Sequence, residues 1–594
     1  MRFKSLAFLR EGYDRFLEAQ QVRMSSNFDG LALLAILGLV CGVLSGGVII
    51  LFRLFMDGAA AQLLPSGSIE GFEDLSRSSR FWLCVGGGLL VGLFLHLLKP
   101  KARNVGVVHV LERLEYHQGN LPVRNAVVQF IGASIALLSG HSVGREGPSV
   151  HLGATGGSAL GRMLRVPNNS IRILVGCGVA AAISAAFNTP LAGVIFAMEV
   201  VLLDYSVIGF TPVIIAAVSA TSLSRIVFGD ATAFTIPAFE LTTIYELPIV
   251  VAMGALIGCL SAAFIQITLV TTSVFQNQII WIRTMLAGVI TGAIAMLLPQ
   301  IMGTGYDTVN HVLLAQIGLT GVILLAIAKT IATATAIGLG IPAGLIGPTL
   351  FIGATAGGAI GYMANALLPE TAAASAGFYA MLGMAAMMAA SLQAPLAALV
   401  YLLELTANQA VILPGMAAVI TASLVTRVVF KKSSIYQHLM LNRGLDYRNA
   451  PMSKALRRVG VANVMDRNIS RQSRLVSLDQ ARELLQQDPR WILLSEGEDH
   501  RKHSLLPVTD LALYLQKLEA RPPDKQPQEI DLAKIPAKRL DTRAIEIVAS
   551  LQEAYEKMQA GDCQVLFITG AHGATKNRVY GVVTREHIER SYTV

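Results

Sequence analysis

Two stretches of this chain read alike: GREGPSVHLGAT at residues 144–155 and GLIGPTLFIGAT at residues 344–355. The likeness resumes at Pro190-Leu-Ala and Pro395-Leu-Ala, and each proline is followed nine residues later by a glutamate, Glu199 or Glu404. Chance similarity between helices rich in Gly and Ala is the alternative, but an ordered series with aligned Pro and Glu favours an internal duplication. The pattern suits parallel and inverted repeats equally.

Charged residues are concentrated towards the carboxyl end of the chain. Of 594 residues, 53% are hydrophobic and 14% are charged, against roughly 25% charged in an ordinary soluble domain. Of the 86 charged residues, 41 fall in the last 144 positions. This asymmetry excludes a soluble enzyme, a disordered protein and a fibrous protein. It predicts an apolar membrane body followed by a soluble tail.

The body contains uncharged runs that are long enough to cross a bilayer. They cover residues 31–52, 173–198, 205–224, 247–282 and 284–306. Glycine and proline interrupt the chain around residues 140–148 and again around residues 338–348. Broken helices at matching positions of two halves indicate a transport site inside the membrane.

Basic residues at the amino end predict the orientation of the chain. Arg2, Lys4, Arg10, Arg15 and Arg23 place the amino terminus in the cytoplasm by the positive-inside rule. No apolar stretch with a cleavage site precedes the first long run, so we expect no removable signal peptide. The prediction is a multi-pass protein of the cell inner membrane with both termini cytoplasmic. The net charge of +8 then reflects topology, not nucleic-acid binding.

The tail alternates helices and strands and predicts two small α/β units in tandem. Helices are expected at residues 477–487, 510–518, 550–560 and from residue 585, and strands at residues 491–494, 504–508, 564–569 and 578–583. The five cysteines lie far apart in the sequence, which argues against a disulfide scaffold and against a metal site. No metal and no cofactor are predicted.

Glu146 and Arg145 are the charged residues of a long apolar stretch. Residues 126–161 carry no other charge apart from the nearby His141 and His151. A carboxylate at membrane depth is costly and indicates function. The alternative is that Glu146 pairs with Arg145 for packing alone. Adjacent residues at a helix start point in different directions, which weakens that alternative.

These motifs resemble the CLC family of chloride channels and proton-coupled chloride transporters. Gly144-Arg-Glu-Gly-Pro148 matches the family's most diagnostic motif, and Phe187-Asn-Thr-Pro-Leu-Ala-Gly193 and Gly344-Leu-Ile-Gly-Pro348 resemble two further ones. Tyr436 follows the last membrane helix where the family has a pore tyrosine. The resemblance spans residues 30–440, and the tail resembles a pair of CBS modules.

The resemblance implies an all-α polytopic membrane protein, an inverted repeat of tilted, broken helices, with an α/β CBS tandem in the cytoplasm. It divides the chain into an N-terminal amphipathic helix at residues 1–30, a transmembrane domain at residues 31–440 with repeats at 31–235 and 236–440, and a tail at residues 441–594 with modules at about 460–520 and 530–594. It also implies a homodimer in membrane lipid, with one pore per subunit for chloride and other small anions.

The resemblance further implies that Glu146 is the gate, whose carboxylate imitates the anion and is freed by protonation or by chloride. Opening would then depend on voltage, pH and chloride. Eight residues are implied in anion binding: Val105, Gly106, Val107, Arg145, Gly147, Leu345, Ile346 and Tyr436. Two of them depart from the family pattern. Val105 replaces the pore serine, and Ile346 replaces a phenylalanine beside the gate.

A third departure concerns the mechanism. The position of the family's inner proton glutamate is occupied by Val200, directly after Glu199. Valine cannot carry a proton, so this residue favours a passive, gated chloride channel. The alternative is a proton-coupled chloride exchanger with a non-standard inner proton path through Glu199 or water. Because Glu199 has its counterpart Glu404 in the other repeat, a shared structural role such as helix capping is also expected.

Several residues outside these motifs have weaker interpretations. In the tail, His587 and Ala512 stand where a nucleotide-binding CBS module has aspartate, so a platform without ligand is at least as well supported as nucleotide binding. Lys329 is expected to snorkel or to pair with a helix end, and His151 to pack. A membrane enzyme built on Ser139 is the third functional class, for which the sequence places no catalytic base.

Overall fold

The computed structural model describes residues 27–230, 234, 246–367, 374–445, 451–495, 503–520, 527–537, 540–570 and 578–592. The predicted amphipathic helix at residues 1–30 lies almost entirely outside these ranges. The chain forms two compact units. The membrane unit contains residues 34–163 and 171–447, and the tail unit contains residues 448–594 together with residues 164–170 and the described part of residues 1–33.

The first half of the membrane unit contains eight helices. They are α1 (Asn27–Leu63), α2 (Arg77–His96), α3 (Gly106–Tyr116), α4 (Val123–Leu138), α5 (Glu146–Met163), α6 (Asn168–Phe187), α7 (Pro190–Phe196, continued by a π-helical turn at Ala197–Leu202) and α8 (Val207–Phe228).

The second half repeats this order. Its helices are α9 (Leu247–Phe275), α10 (Ile280–Ala295), α11 (Tyr306–Leu313), α12 (Leu319–Gly338), α13 (Ile346–Leu367), α14 (Ala376–Leu392), α15 (Pro395–Thr406) and α16 (Ile412–Leu424), followed by α17 (Ile435–Asn442). Within the described residues, eight helices are long and apolar enough to cross a membrane. The protein is therefore a multi-pass membrane protein.

The two halves meet at their broken helices. Gly144 and Gly344 form an antiparallel bridge in which each backbone N–H donates to the other's carbonyl at 2.7 Å. Directly after the bridge, α5 begins at Glu146 and α13 begins at Ile346, 200 residues apart. The predicted inverted-repeat fold of broken helices is confirmed by this arrangement.

Small residues let the broken helices lie close to their neighbours. A side chain at Gly153 of α5 would overlap the carbonyl of Gly178 in α6, and one at Gly353 of α13 would overlap the carbonyl of Gly383 in α14. Close backbone approach of this kind is a common way to pack helices in membranes. The glycines that mark the duplication in the sequence therefore serve the same packing role in each repeat.

The tail unit contains α18 (Pro451–Arg458), α19 (Val461–Val464), α20 (Leu478–Gln486), α21 (Val508–Glu519), α22 (Leu551–Gly561) and α23 (Arg585–Tyr592). Its strands are β1 (Ile469–Gln472), β2 (Leu475–Ser477), β3 (Trp491–Ser495), β4 (His503–Pro507), β5 (Glu529–Asp531), β6 (Leu540–Glu546), β7 (Val565–Thr569) and β8 (Val579–Thr584). The predicted helices and strands of the tail lie within about two residues of these elements.

The two predicted α/β units of the tail share one sheet. Six strands run in the order β1-β3-β4-β6-β7-β8, and the pairing of β4 with β6 joins the first unit to the second. An apolar cluster of both units lies on this sheet and comprises Leu493, Leu505, Val565, Phe567 and Val582. The sequence predicted the units but did not predict that their strands pair with each other.

Candidate functional site

A cavity of about 680 Å³ opens into the membrane unit, and the helix starts named by the sequence lie on its wall. Six of the eight predicted anion-binding residues line it: Val105, Gly106, Val107, Gly147, Leu345 and Tyr436. Arg145 and Ile346 do not line this cavity, and their role in anion binding stays a prediction. Ile346 directly follows Leu345 in the sequence, yet only Leu345 lies on the cavity wall.

The charged side chains on the cavity wall are mostly cationic. Arg103, Arg283 and Arg443 line the cavity together with one carboxylate, Glu112, which lies 3.9 Å from Arg443. A concave surface with an excess of one charge attracts counter-ions of the opposite sign. The cavity is therefore suited to collecting small anions.

The start of α3 presents backbone N–H groups at the cavity wall. Val105 is extended and Gly106 has a φ of +82°, a conformation that favours glycine. No side chain caps this helix, because valine has no oxygen where a serine would accept the bond. The phenol oxygen of Tyr436 has no hydrogen-bond partner in the described part of the chain. Uncommitted donors at a helix N-terminus suit an anion.

The carboxylate of Glu146 lies at the start of α13. It is fully buried, and Gly347 donates its backbone N–H to one carboxylate oxygen at 3.1 Å. The other oxygen accepts a hydrogen bond from the hydroxyl of Tyr306. A side chain on Gly347 would come within 3.2 Å of both carboxylate oxygens and would crowd them. Glu146 therefore occupies the place where a free anion would bind to the N-terminus of α13.

Arg145 turns away from its neighbour. Its guanidinium lies 5.3 Å from the ring centroid of Tyr306, a cation–π geometry. Glu146 takes its hydrogen bonds from Tyr306 and Gly347 instead. Glu146 therefore has hydrogen-bond partners other than Arg145, which argues against the alternative in which it serves only to pair with that residue. Arg145 and Glu146 both contact Tyr306, Arg145 at the ring face and Glu146 at the hydroxyl.

Tyr306 is a site residue that sequence reasoning missed. It begins α11 as Gly106 begins α3, and the two positions are 200 residues apart. Applying the repeat offset of 200 residues to Gly106, at the predicted anion site, would have found this residue. The duplication thus places Gly106, at the start of α3, on the cavity wall and Tyr306, at the start of α11, beside Glu146.

Glu199 and Glu404 cap helices of the opposite repeat. Glu199 accepts the N–H groups of Leu396 and Ala397 at 3.2 and 2.7 Å, at the start of α15. Glu404 accepts those of Leu191 and Ala192 at 2.8 and 2.7 Å, at the start of α7. The expected shared capping role is confirmed by this reciprocal geometry.

Val200 lines a second, smaller cavity of about 30 Å³. Glu199, Ser434 and Tyr436 also lie on its wall. Because Tyr436 lines the large cavity as well, the position of the replaced proton glutamate is next to the predicted anion path.

Lys329 is fully buried and does not snorkel. Its ammonium donates to the carbonyls of Ile301 and Gly303 at 2.9 Å each, and Ile301 ends a short 3₁₀ helix at Pro299–Ile301. The expected pairing with a helix end is confirmed. His151 packs against His109, with their ring nitrogens 3.0 Å apart, and this contact fastens α5 to α3.

Ser139 does have a histidine within reach. Its hydroxyl oxygen lies 2.9 Å from Nδ1 of His141 and also donates to the carbonyl of Ile135 at 2.7 Å. Both side chains are buried, and Ser139 ends α4, so the pair closes a helix end. Within the described ranges, no three His, Cys, Asp or Glu side chains are grouped so as to hold a metal ion.

Residues 87–427 match the family model described as voltage gated chloride channel. A putative chloride channel protein ClcB-like from Ralstonia nicotianae is 32% identical over 398 residues, which cover 65% of this chain and 92% of that protein. The H(+)/Cl(-) exchange transporter ClcA of Vibrio parahaemolyticus is 29% identical over 379 residues, which cover 61% of this chain and 81% of that protein.

Two solved structures share the fold. A slow cyanobacterial Cl-/H+ antiporter has a TM-score of 0.61 and 23% identity, covering 70% of this chain and 99% of its own. A eukaryotic CLC transporter has a TM-score of 0.59 and 19% identity, covering 94% of this chain and 98% of its own. With the family model matched over more than half of its length, this chain belongs to the CLC family.

Proposed function

We propose that this protein exchanges chloride for protons and that Glu146 is both its gate and its outer proton carrier. The observation that carries the proposal is the hydrogen bond from the Gly347 N–H to the Glu146 carboxylate. A side chain that can be protonated occupies the helix N-terminus at which an anion would bind. Proton binding and anion binding at this point are therefore mutually dependent.

The mechanism follows from the charges along the path. Chloride enters the cavity beside its arginines and approaches the N–H groups of α3 and α13. While Glu146 is ionised, its carboxylate holds the start of α13 and excludes the anion. Protonation removes the negative charge that the helix N-terminus attracts. The side chain then leaves, and chloride takes its place at partial charges that bind it weakly enough for release.

Apart from the ClcB-like protein, whose name says chloride channel, the names of the related proteins support exchange over passive flow. Exchange transporters named ClcA recur among the curated relatives, and two of the structures that share the fold are described as antiporters. The sequence favoured a channel because of Val200 alone. The relatives instead support the alternative, an exchanger with a non-standard inner proton path. They also support transport over the membrane enzyme.

The small cavity beside Val200 offers such a path. Its volume of about 30 Å³ exceeds the ~10–15 Å³ that one water needs, and Ser434 and Tyr436 contribute polar groups to its wall. Water there would carry a proton past a side chain that cannot. Glu199 already accepts two backbone N–H groups, so we assign it to capping and not to proton transfer.

A passive channel is the second candidate, and Val200 is the observation that favours it. A liposome assay distinguishes the channel from the exchanger. It uses purified protein, equal chloride on both sides and an imposed proton gradient. An exchanger moves chloride even though its concentration is equal on both sides, because the proton gradient drives it. A chloride electrode records this movement. A channel moves chloride only down its own electrochemical gradient, which would contradict the proposal.

The variant Glu146→Gln tests the gate in the same assay. The amide mimics the protonated side chain, so we expect faster chloride flow, loss of its pH dependence and loss of proton-driven uptake. A variant that keeps the pH dependence of the wild type would show that Glu146 is not the gate.

We also propose that the loop at residues 97–105 is cytoplasmic. It carries Lys99, Lys101 and Arg103, whereas the loop at residues 64–76 contains no Lys or Arg. The protein then lies in the inner membrane with its amino terminus and its tail in the cytoplasm. The remaining proposals are a homodimer and a CBS pair in the tail, in which His587 and Ala512 replace the aspartates expected for nucleotide binding.

A further inference from the structure

The carboxylate of Glu70 lies outside the anion cavity and is hydrogen-bonded to the segment that carries Tyr306. Glu70 lies in the loop between α1 and α2 and is half-buried. One of its oxygens accepts the hydroxyl hydrogen bond of Thr304, and the other accepts the backbone N–H of Asp307 at 2.9 Å. Tyr306 lies between these two residues in the chain, so a single side chain holds both of its flanks.

This grip acts on the first turn of α11. Asp307 is the second residue of that helix, where an N–H group has no partner within the helix and a negative charge is favourable. Thr304 and Tyr306 are both buried, with 2% and 5% of their surfaces exposed. The position of the Tyr306 hydroxyl, and hence its bond to Glu146, depends on where Glu70 holds this turn.

The chain just before this turn is fixed from the other side. Lys329 binds the carbonyls of Ile301 and Gly303. Gly303 has a φ of +56°, and a side chain there would come within 3.0 Å of the Phe72 ring. These contacts are buried. Glu70, in contrast, is half-buried, which leaves it within reach of the adjacent solution.

We propose that Glu70 is a positioning residue for the gate. While ionised, it holds Thr304 and Asp307 so that Tyr306 keeps Glu146 at the start of α13. Protonation of Glu70 loosens the turn and eases the departure of Glu146. This inference rests on the proposed role of Glu146 as the gate, and it assigns the loop at residues 64–76 a part in sensing pH on its own side of the membrane.

Three charged groups act on Glu70 from neighbouring elements: Asp307 on α11, Arg145 before α5 and Lys329 on α12. Burial raises the pKa of Glu70 above the ordinary carboxyl value. Asp307 adds to that rise, while the Thr304 hydroxyl, the Asp307 N–H and Arg145 oppose it. Because the pKa is raised, the carboxylate is lost at a higher pH than for a free glutamate. Acidification on this side should therefore promote transport.

The test is chloride current through the full-length protein in planar bilayers, with the pH of each side varied in turn. In Glu70→Gln we expect the current at neutral pH to rise about fivefold, the order by which one lost hydrogen bond changes an equilibrium. We also expect the response to acid on one side to flatten. Glu73→Gln is the matched control, because its side chain lies in the same loop, is exposed and has no bond to Thr304 or Asp307.

Two backgrounds distinguish positioning from a general structural role. If Glu70 acts through Tyr306 and Glu146, Glu70→Gln should add nothing in Tyr306→Phe or in Glu146→Gln. Thr304→Val removes the hydrogen bond from the Thr304 hydroxyl to Glu70 at nearly constant side-chain size. It should reproduce part of the effect of Glu70→Gln. This variant therefore tests the inference even if Glu70→Gln does not fold.

The inference would be overturned if Glu70→Gln kept the wild-type response to acid on one side. It would also be overturned if Glu70→Gln changed that response as much in the Tyr306→Phe background as in the wild type. A wild-type protein that carries no chloride would instead overturn the proposed function on which the inference rests.

Discussion

At the scale of single residues, gating depends on how one carboxylate is held. Glu146 accepts one bond from a backbone N–H of the opposite repeat and one from the Tyr306 hydroxyl. The first bond places the carboxylate where an anion would bind. The second bond comes from a side chain that can be altered without touching the helix start. Tyr306 is therefore the residue at which the gate can be weakened without being removed.

We expect Tyr306→Phe to increase chloride flux at neutral pH about fivefold, because a hydrogen bond of ~1 kcal/mol to the closed gate is lost while the ring stays over Arg145. Flux from liposomes measures the effect. Tyr379→Phe is the matched control, since Tyr379 donates to the buried Glu246 at 2.8 Å elsewhere in the membrane unit. Equal flux changes in the two variants would show that the effect is not specific to the gate.

At the scale of elements, the membrane unit is organised by short helices that start inside the protein. Each repeat caps the other: Glu199 binds the start of α15 and Glu404 the start of α7. These bonds are charge-assisted, since a carboxylate meets the positive end of a helix. They explain why both glutamates stand nine residues after a Pro-Leu-Ala motif.

Glu199→Gln and Glu404→Gln should each lower stability by ~1–3 kcal/mol, because the neutral amide loses a charge-assisted bond to a buried backbone donor. Thermal unfolding in detergent measures this loss, which we expect to be similar in the two variants. Proton-driven chloride uptake should persist in Glu199→Gln. A variant of normal stability that has lost proton coupling would show that Glu199 carries protons instead.

The sequence predicted elements wherever a repeated pattern or a cap marked them. The starts of α5, α7, α13 and α15 follow from the two aligned motifs, and the capping role of Glu199 follows from Glu404. Tyr306 was missed because a buried tyrosine at a short helix carries no charge or motif. The direction of Arg145 could not be predicted, since adjacent positions at a helix start diverge according to packing that only the fold supplies.

At the scale of the whole molecule, each unit is built from two similar halves joined by a backbone contact. In the membrane unit, the bridge between Gly144 and Gly344 joins the repeats at the gate. In the tail unit, β4 and β6 join the halves into one sheet. Pairing between distant strands leaves no local signal in the sequence, which is why the sheet was not predicted. We expect the tail halves to unfold together.

Phe567→Ala should reveal this coupling. Phe567 lies in the second half of the tail but packs with Leu493 and Leu505 of the first, and truncating a buried Phe costs ~3–5 kcal/mol. Amide hydrogen exchange of the full-length protein should speed up in β3 as well as in β7. Leu513→Ala is the control, because Leu513 is 55% exposed. Faster exchange confined to the second half would contradict a shared sheet.

In the proposed mechanism, the carboxylate of Glu146 competes with chloride for the start of α13. Chloride binding to the purified protein, measured by titration calorimetry across a range of pH, tests it most directly. We predict that wild-type binding strengthens as pH falls, because protonation removes the competing charge, and that Glu146→Gln binds chloride tightly at every pH. Equal affinity and equal pH dependence in the two proteins would contradict the claim.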